Sequence, residues 1–509
     1  MKIPRIMSTQ HPDNALMPRW AKNHKIFSND LEIDEIYHSF RMGCDEQLWD
    51  WEGKDVDTNV IRKLLTKYPN FFKDKVIGQD CFITYRVPNP DVEIHERKLL
   101  LEALETIPKN ADIASAFYSR ETIPIFEVAL PMTQNHLQLL RLDSYYKNIV
   151  FGKQHMHLHS DIEEIKIKDW VGNIIPEKIN IIPLVEDKTS IISISNILKG
   201  FITHRKPEYM RPWLARSDTA LNYGLISSVL LVKYGASEVY RVEEDTGVKQ
   251  FPIVGTGSLP FRGHLRPENL KNFLKQYKEF HTFTMQSSAK YDFETKKIRR
   301  MISRLKKHKS STKPFVEEER EDVIDIINIC SHEYQHSISL VYELVNEIAV
   351  YVPNRRMRKL HIGLFGYSRK VKDGIHLPRA ITFTACMYSL SLPPEFLGLR
   401  AVEEIERKGI FSSLKKFYPV LEKDLTFASK FFSRDCLRLL RDKGLISKEF
   451  EKTFLEDVSA AETYFSIDPG PKSEEDEKHE RLSKQLINNF GKKITKIIER
   501  QSIIRKSIG

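Results

Sequence analysis

Short apolar runs rich in β-branched residues recur along the chain at residues 81–87, 123–130, 179–185, 238–242, 251–254, 282–285 and 359–364, each closing on polar turn residues. Runs of this length bounded by turn formers predict buried strands. Between most of them, apolar positions recur at spacings of three and four, over residues 96–104, 135–145, 190–198, 220–234 and 267–277, and predict helices. Strand and helix alternating in this way make an α/β domain with a parallel sheet. Roughly seven or eight strands over about 300 residues, with polar residues just after them, suit a (β/α)8 barrel of the TIM type. No Gly-x-Gly-x-x-Gly or Gly-x-x-x-x-Gly-Lys loop supports an open nucleotide-binding sheet. There is no internal repeat of solenoid or propeller length. From residue 401 the pattern is helical throughout, and residues 467–480 read as a polar, mobile loop. The expected organisation is a catalytic barrel with an N-terminal active-site segment over residues 1–400. A helical layer over residues 401–509 packs on it, within one structural domain.

Composition narrows the class. Of 509 residues 41% are hydrophobic and 29% charged, with 21 Gly and 24 Pro, which is globular and excludes a disordered or collagen-like chain. No apolar run approaches the roughly 18 residues of a membrane span, and the first residues lack the apolar core of a signal peptide. Cys44, Cys81, Cys330, Cys386 and Cys436 stand far apart with no Cys-x-x-Cys pair, so a reduced cytoplasm is expected. The net charge of +10 fits anionic small molecules as well as nucleic acid.

Several polar clusters carry candidate chemistry. In the run Ser-Thr-Gln-His-Pro-Asp-Asn ending at Asn14, His11 precedes Pro12 on a restricted backbone. It reads either as a group that donates to an oxyanion or accepts a proton, or as a turn histidine. Glu186 and Asp218 each follow an apolar strand-like run, in Ile-Pro-Leu-Val-Glu-Asp and Trp-Leu-Ala-Arg-Ser-Asp. On a barrel two such strand ends meet at one mouth, where two hard oxygen ligands suit Mg²⁺ or Mn²⁺. The same residues also read as helix N-caps. The loop from residue 254 to residue 266 sets Arg262 among glycines that allow close backbone approach, a cradle for an anion. Arg86, Arg369 and Arg379 stand in similar settings, and together these arginines point to a polyanionic substrate.

Two further features have competing readings. The alternation of His155, His157 and His159 resembles a His-x-His zinc strand, but it lies in a polar connecting segment with no spaced ligand set downstream. The basic run over residues 296–313 suits phosphates of nucleic acid, yet Ile298, Met301, Ile302 and Leu305 keep helical spacing and favour a packed helix with a solvated face.

In identity and order these clusters resemble the archaeal-type phosphoenolpyruvate carboxylases, the short form of that enzyme. The resemblance is carried by residues 7–14, 43–47, 86–90, 126–132, 216–224, 260–263, 282–287, 361–369 and 377–381, spread over about three quarters of the chain. It implies a barrel enzyme that joins bicarbonate to phosphoenolpyruvate, giving oxaloacetate and inorganic phosphate through carboxyphosphate and the pyruvate enolate. It further implies activation by Mg²⁺ or Mn²⁺, a cytoplasmic homotetramer, an anaplerotic role, and no nucleic-acid or membrane partner. By resemblance, Glu186 and Asp218 hold the metal, and His11 promotes carboxyphosphate breakdown and carboxylation of the enolate. Arg262 positions bicarbonate and CO₂, Arg86 and Arg379 bind the phosphate, and Arg216 and Arg369 belong to the substrate-binding set.

The chain departs from the long bacterial and plant form. Leu221 stands where that form has a lysine, and Thr256 where its glycine-rich loop has a second arginine; Arg216 and Lys290 are the two candidates for the missing charge. The last residues are Lys-Ser-Ile-Gly, not the Asn-Thr-Gly tail tied to feedback control in the long form. A different metal-dependent barrel lyase or hydrolase acting on a phospho-substrate, and a non-catalytic nucleic-acid-binding protein, are the two alternatives.

Overall fold

The computed structural model describes residues 3–22, 24–51, 56–159, 163–311, 313–357, 369–371 and 374–509. Eight parallel strands close into a barrel: β1 (Ile6–Ser8), β2 (Glu46–Asp50), β3 (Phe82–Arg86), β4 (Glu127–Leu130), β5 (Asn180–Val185), β6 (Trp213–Ala215), β7 (Ile253–Gly255) and β8 (Thr282–Met285). Each strand pairs with the next in chain order, and β8 closes on β1. Because side chains alternate along a strand, every second residue faces the barrel axis. Met7, Leu48, Ala129, Ile182, Leu184, Trp213, Ala215 and Ile253 form an apolar cluster of their own within the barrel, and Leu184, Trp213 and Ala215 carry it up to the C-terminal mouth.

At the N-terminal ends of the strands the interior is charged. The buried Arg211 guanidinium donates to Glu46 at 2.9 and 2.7 Å and to Glu127, and Thr84 Oγ1 donates to Glu46 at 2.5 Å. Two carboxylates share this one guanidinium, and the network plugs the floor. The opposite, C-terminal mouth is left for chemistry.

The outer wall is helical, and the local rules are visible in it. Asn135 caps the helix His136–Tyr145 through a capping box with Gln138, where the pattern predicts a start at residue 135. The helix Thr295–Lys307 buries Ile298, Met301, Ile302 and Leu305 and turns its basic residues to solvent. Helices Ala401–Arg407, Phe411–Phe417, Leu421–Ser429, Arg434–Asp442, Lys448–Phe465, Glu474–Asn488 and Thr495–Arg505 make the C-terminal layer. Among the described residues no helix is long and apolar enough to cross a membrane. All five cysteines are free and buried.

Three expectations change. Residues 238–242 lie inside the helix Leu225–Thr246, where Val239 and Val242 are buried three apart, a helical spacing that a short β-branched run conceals. The stretch 467–480 is a loop only in its first half. Ser473 caps the helix Glu474–Asn488 by accepting the Asp476 amide at 3.2 Å, and its acidic first turn suits the positive end of the helix dipole. The apolar run 123–130 contributes a strand only over Glu127–Leu130. Most of the expected strand at 359–364 and of the motif at 361–369 lies outside the described residues.

Candidate active site

Glu186 directly follows β5, and Asp218 lies in the first turn of the helix Ser217–Tyr223 that follows β6. These strands are neighbours, with Val185 level with Leu214, so both carboxylates reach the same rim. Both line a cavity of about 480 Å³ at the C-terminal mouth. The capping role falls to the next residue along: Asp187 accepts the Ser190 amide at 2.9 Å and the Ser190 hydroxyl at 2.5 Å.

His11 lines the same cavity. Its segment is stitched across the mouth, with the Thr9 amide donating to Met285 O at 3.0 Å and the Ser287 amide donating to His11 O at 3.2 Å. Asp13 accepts the Ser288 amide at 2.7 Å, and Asp292 accepts the amides of Ala15 and Leu16 at 2.8 and 2.7 Å. The His11 ring is oriented by Thr9, whose Oγ1 is 2.9 Å from Nδ1. Burial, aided by the guanidinium groups of Arg86, Arg262 and Arg379 and opposed by Asp50, holds this imidazole well below the ordinary histidine range. It is neutral at physiological pH.

The arginines divide into those that face the cavity and those committed elsewhere. Arg86 ends β3 opposite Asp50 and donates to both of its oxygens, at 2.9 and 2.6 Å, which fixes the fork at the cavity wall. Arg379 lines the cavity just before the helix Ala380–Ser389. Arg262, 1% exposed, donates to Asp13 Oδ2 at 3.3 Å, to Gly509 O at 2.6 Å and to Gln286 Oε1. Arg216 borders the cavity, but its guanidinium donates to Tyr277 Oη at 3.2 Å, to Ser228 Oγ and to Pro260 O at 3.5 Å. Lys290 is absent from the cavity wall; it donates to Ser8 Oγ, Thr9 O and Glu35 at 2.9, 3.0 and 2.9 Å. Arg216 is thus the one of these two candidate cations that reaches the mouth. Of Arg369 only the backbone is described, at the start of the short strand Arg369–Val371.

The glycines around Arg262 serve the arginine itself. A Cβ on Gly257 would sit 3.0 Å from the Arg262 guanidinium carbon, and Gly263, at φ 122°, would bring one to 2.8 Å from Thr256 Cβ. The expected cradle is therefore a seat for the arginine, with Gly255 alone among these glycines lining the cavity.

Sequence reasoning passed over Asp13 and Gln286, which anchor Arg262, although both lie within the motifs that carry the resemblance. It also passed over Arg355 and Arg356, which line the cavity and have no local pattern to mark them. Arg356 donates to Glu32 at 3.1 Å and to both oxygens of Glu35 at 2.8 and 2.7 Å. Burial opposes the Glu35 charge, but Arg356 and Lys290 outweigh it and bring the carboxyl down to about 2. Because the folded value lies below the unfolded one, the pair's stabilisation is present above about pH 4.5 and lost as pH falls toward 2, about 3 kcal/mol in all. Glu35→Gln strands the buried Lys290 and leaves Arg356 with Glu32 alone, and should cost at least about 3 kcal/mol at pH 7, with a much smaller deficit near pH 2, as urea unfolding at the two pH values would show. An equal deficit at both would rule out the charge as its cause.

His157 and His159 stand on the exposed hairpin strand His157–His159, where His157 Nδ1 lies 2.6 Å from Glu164, while His155 ends the short 3-10 helix Gly152–His155. Among the described residues no group of three or more His, Cys, Asp or Glu side chains is placed to hold a metal ion.

Comparison with known proteins bears on the whole chain. Residues 3–509 match the family model described as phosphoenolpyruvate carboxylase. The phosphoenolpyruvate carboxylase of Metallosphaera sedula is 40% identical over 100% of this chain and 99% of its own length. That of Methanothermobacter thermautotrophicus is 46% identical over 85% of this chain and 87% of its own, and that of Pyrococcus horikoshii 44% over 85% and 89%. With an unbroken match from residue 3 to the last residue and a closed parallel barrel whose mouth gathers the motif residues, the chain belongs to the phosphoenolpyruvate carboxylase family.

Proposed function

We propose that the mouth cavity is where this phosphoenolpyruvate carboxylase joins bicarbonate to phosphoenolpyruvate and releases oxaloacetate and inorganic phosphate. The observation that carries the reading is that Glu186, Asp218, a neutral His11 and the arginines Arg86, Arg262 and Arg379 line one cavity. A polyanionic substrate needs fixed positive charge, and a reaction that moves negative charge from phosphoryl to enolate to carboxylate needs donors already in place.

The donor set fits a hard divalent cation. Glu186 and Asp218 are both carboxylates at neighbouring strand ends, and no third such side chain completes a group among the described residues. Two carboxylates with the other positions left to water and substrate oxygens are the usual holding of Mg²⁺, and suit Mn²⁺ as well. When bound, the ion supplies Lewis-acid stabilisation of the enolate oxygen.

The chain's own residues do the rest. Arg86, braced on Asp50, and Arg379 hold the phosphoryl group while bicarbonate attacks phosphorus, and neither changes its protonation. Arg262, anchored by Asp13, Gln286 and Gly509, holds the carboxyphosphate and the CO₂ released from it. His11 promotes that breakdown and the capture of CO₂ by the enolate. Arg369 completes the substrate-binding set, and Arg216 lends its charge from within the wall. Residues 1–400 and 401–509 act as one catalytic unit. This is supported by Ile508 N donating to Asp13 O at 2.7 Å and by the lack of room for a Cβ at Gly509, 2.0 Å from Ile381 O. The working form is a cytoplasmic homotetramer with an anaplerotic role, by the family resemblance.

One assay tests the reading: phosphoenolpyruvate and Mg²⁺ with and without bicarbonate, following oxaloacetate and phosphate together. Equal amounts of both, only with bicarbonate, are expected. Phosphate release indifferent to bicarbonate would point to a barrel hydrolase.

A further inference from the structure

Thr9 is fully buried, and among the described residues its hydroxyl has a single polar partner, Nδ1 of His11 at 2.9 Å. A buried hydroxyl hydrogen left without an acceptor costs about 1–3 kcal/mol. If Nδ1 carried the ring proton and donated to Thr9, the hydroxyl hydrogen would have nowhere to go. With the hydroxyl donating instead, the hydroxyl and Nδ1 satisfy each other and the ring proton sits on Nε2. Nε2 has no hydrogen-bond partner among the described residues, and His11 lines the cavity.

The backbone around this contact is held from below. Lys290 Nζ donates to Thr9 O at 3.0 Å and to Ser8 Oγ at 2.9 Å, and is itself held by Glu35 at 2.9 Å. The Thr9 amide donates to Met285 O at 3.0 Å. Thr9 is therefore pinned on both its backbone atoms, and its hydroxyl meets the ring from a fixed point.

We propose that Thr9 is a positioning residue that sets the tautomer of His11, so that the neutral ring offers Nε2–H to the cavity and works as a hydrogen-bond donor, not as a base. This rests on the reading of the cavity as the carboxylation site. Burial and the three surrounding guanidinium groups, which keep the ring neutral, agree with it. The chemistry balances without the ring gaining or losing a proton. In carboxyphosphate carrying the proton brought by bicarbonate, the bond from the carboxyl carbon to the bridging oxygen breaks and its electron pair stays on that oxygen. The carboxyl proton passes to a phosphoryl oxygen, leaving CO₂ and monohydrogen phosphate. The enolate carbon then bonds to CO₂, and the charge that develops on the new carboxylate oxygen is met by Nε2–H.

The test compares Thr9→Val, which keeps shape and loses the hydroxyl, with Thr9→Ser, which keeps it. Phosphate, oxaloacetate and pyruvate are measured in one reaction. Thr9→Val should still release phosphate, while its oxaloacetate-to-pyruvate ratio falls about tenfold, the scale of one hydrogen bond to an active group. Thr9→Ser should restore the ratio. A wild-type ratio in Thr9→Val overturns the assignment. The ratio in His11→Asn separates the two levels: if it too stays at the wild-type value, the role of His11 has failed; if it falls while Thr9→Val does not, only the Thr9 assignment has. A measurement that needs no foldable Thr9 variant is the ¹⁵N spectrum of the histidine-labelled wild-type protein, with His11→Gln used to identify the resonance. A protonated Nε2 and a bare Nδ1 are expected, and a protonated Nδ1 overturns the proposal.

Discussion

Glu186→Gln and Asp218→Asn should each lower turnover about a thousandfold, equivalent to about 4 kcal/mol of transition-state stabilisation. Each replacement keeps size and shape and removes one anionic oxygen from the rim shared by β5 and β6. A cation held by only two carboxylates loses half of its charged protein ligands when either becomes an amide. Binding of Mn²⁺, followed by calorimetry without substrate, should weaken in parallel, while the thermal midpoint stays near that of the wild type. Asp187→Asn is the internal control, because that carboxylate caps a helix through Ser190 and should leave turnover within a few-fold of normal. Near-normal activity of either cavity variant at limiting Mg²⁺ would remove the pair from the metal site.

His11→Asn should separate the two half-reactions. If phosphoryl transfer relies on the arginines and the carboxylate pair, the variant continues to release phosphate in a bicarbonate-dependent way. Oxaloacetate, which relies on the histidine, should fall about a hundredfold or more. The enolate left behind takes up a proton and leaves as pyruvate, so phosphate and pyruvate should rise together across a series of bicarbonate concentrations. Full oxaloacetate yield would return His11 to the role of a turn histidine, and loss of phosphate release would put it in the first step.

Much of this molecule is legible along the chain. The run at 282–285 became β8 residue for residue, and the apolar runs before Glu186 and Asp218 became β5 and β6, because a strand buried on both faces must be apolar and short. The motifs containing His11, Arg86, Arg262 and Arg379 are local strings; for the first three, position at the end of a barrel strand or just after it was enough to bring them to one mouth, whereas Arg379 reaches it from the start of the helix Ala380–Ser389. Residues 238–242 and 474–480 show the limit: a few β-branched residues have no period long enough to separate helix from strand, and a Ser473 cap hides inside a polar run.

What only the tertiary structure decided is what each side chain is committed to. Glu186 and Asp187 are adjacent in the chain, yet one lines the cavity and the other caps a helix. Arg216 and Arg86 both stand at the C-terminal ends of barrel strands, but Tyr277, Ser228 and Pro260 hold the first, while Asp50 braces the second. The neutrality of His11 comes from burial and from Arg86, Arg262 and Arg379, residues 75 or more positions away in the chain. Its ring orientation, by contrast, comes from Thr9, two residues away, whose buried hydroxyl has no other polar partner among the described residues. Periodicity in a sequence reports which face of an element is buried. Hydrogen-bond commitment and charge state are set by through-space distance and desolvation, which depend on groups that the chain brings together only when the barrel closes.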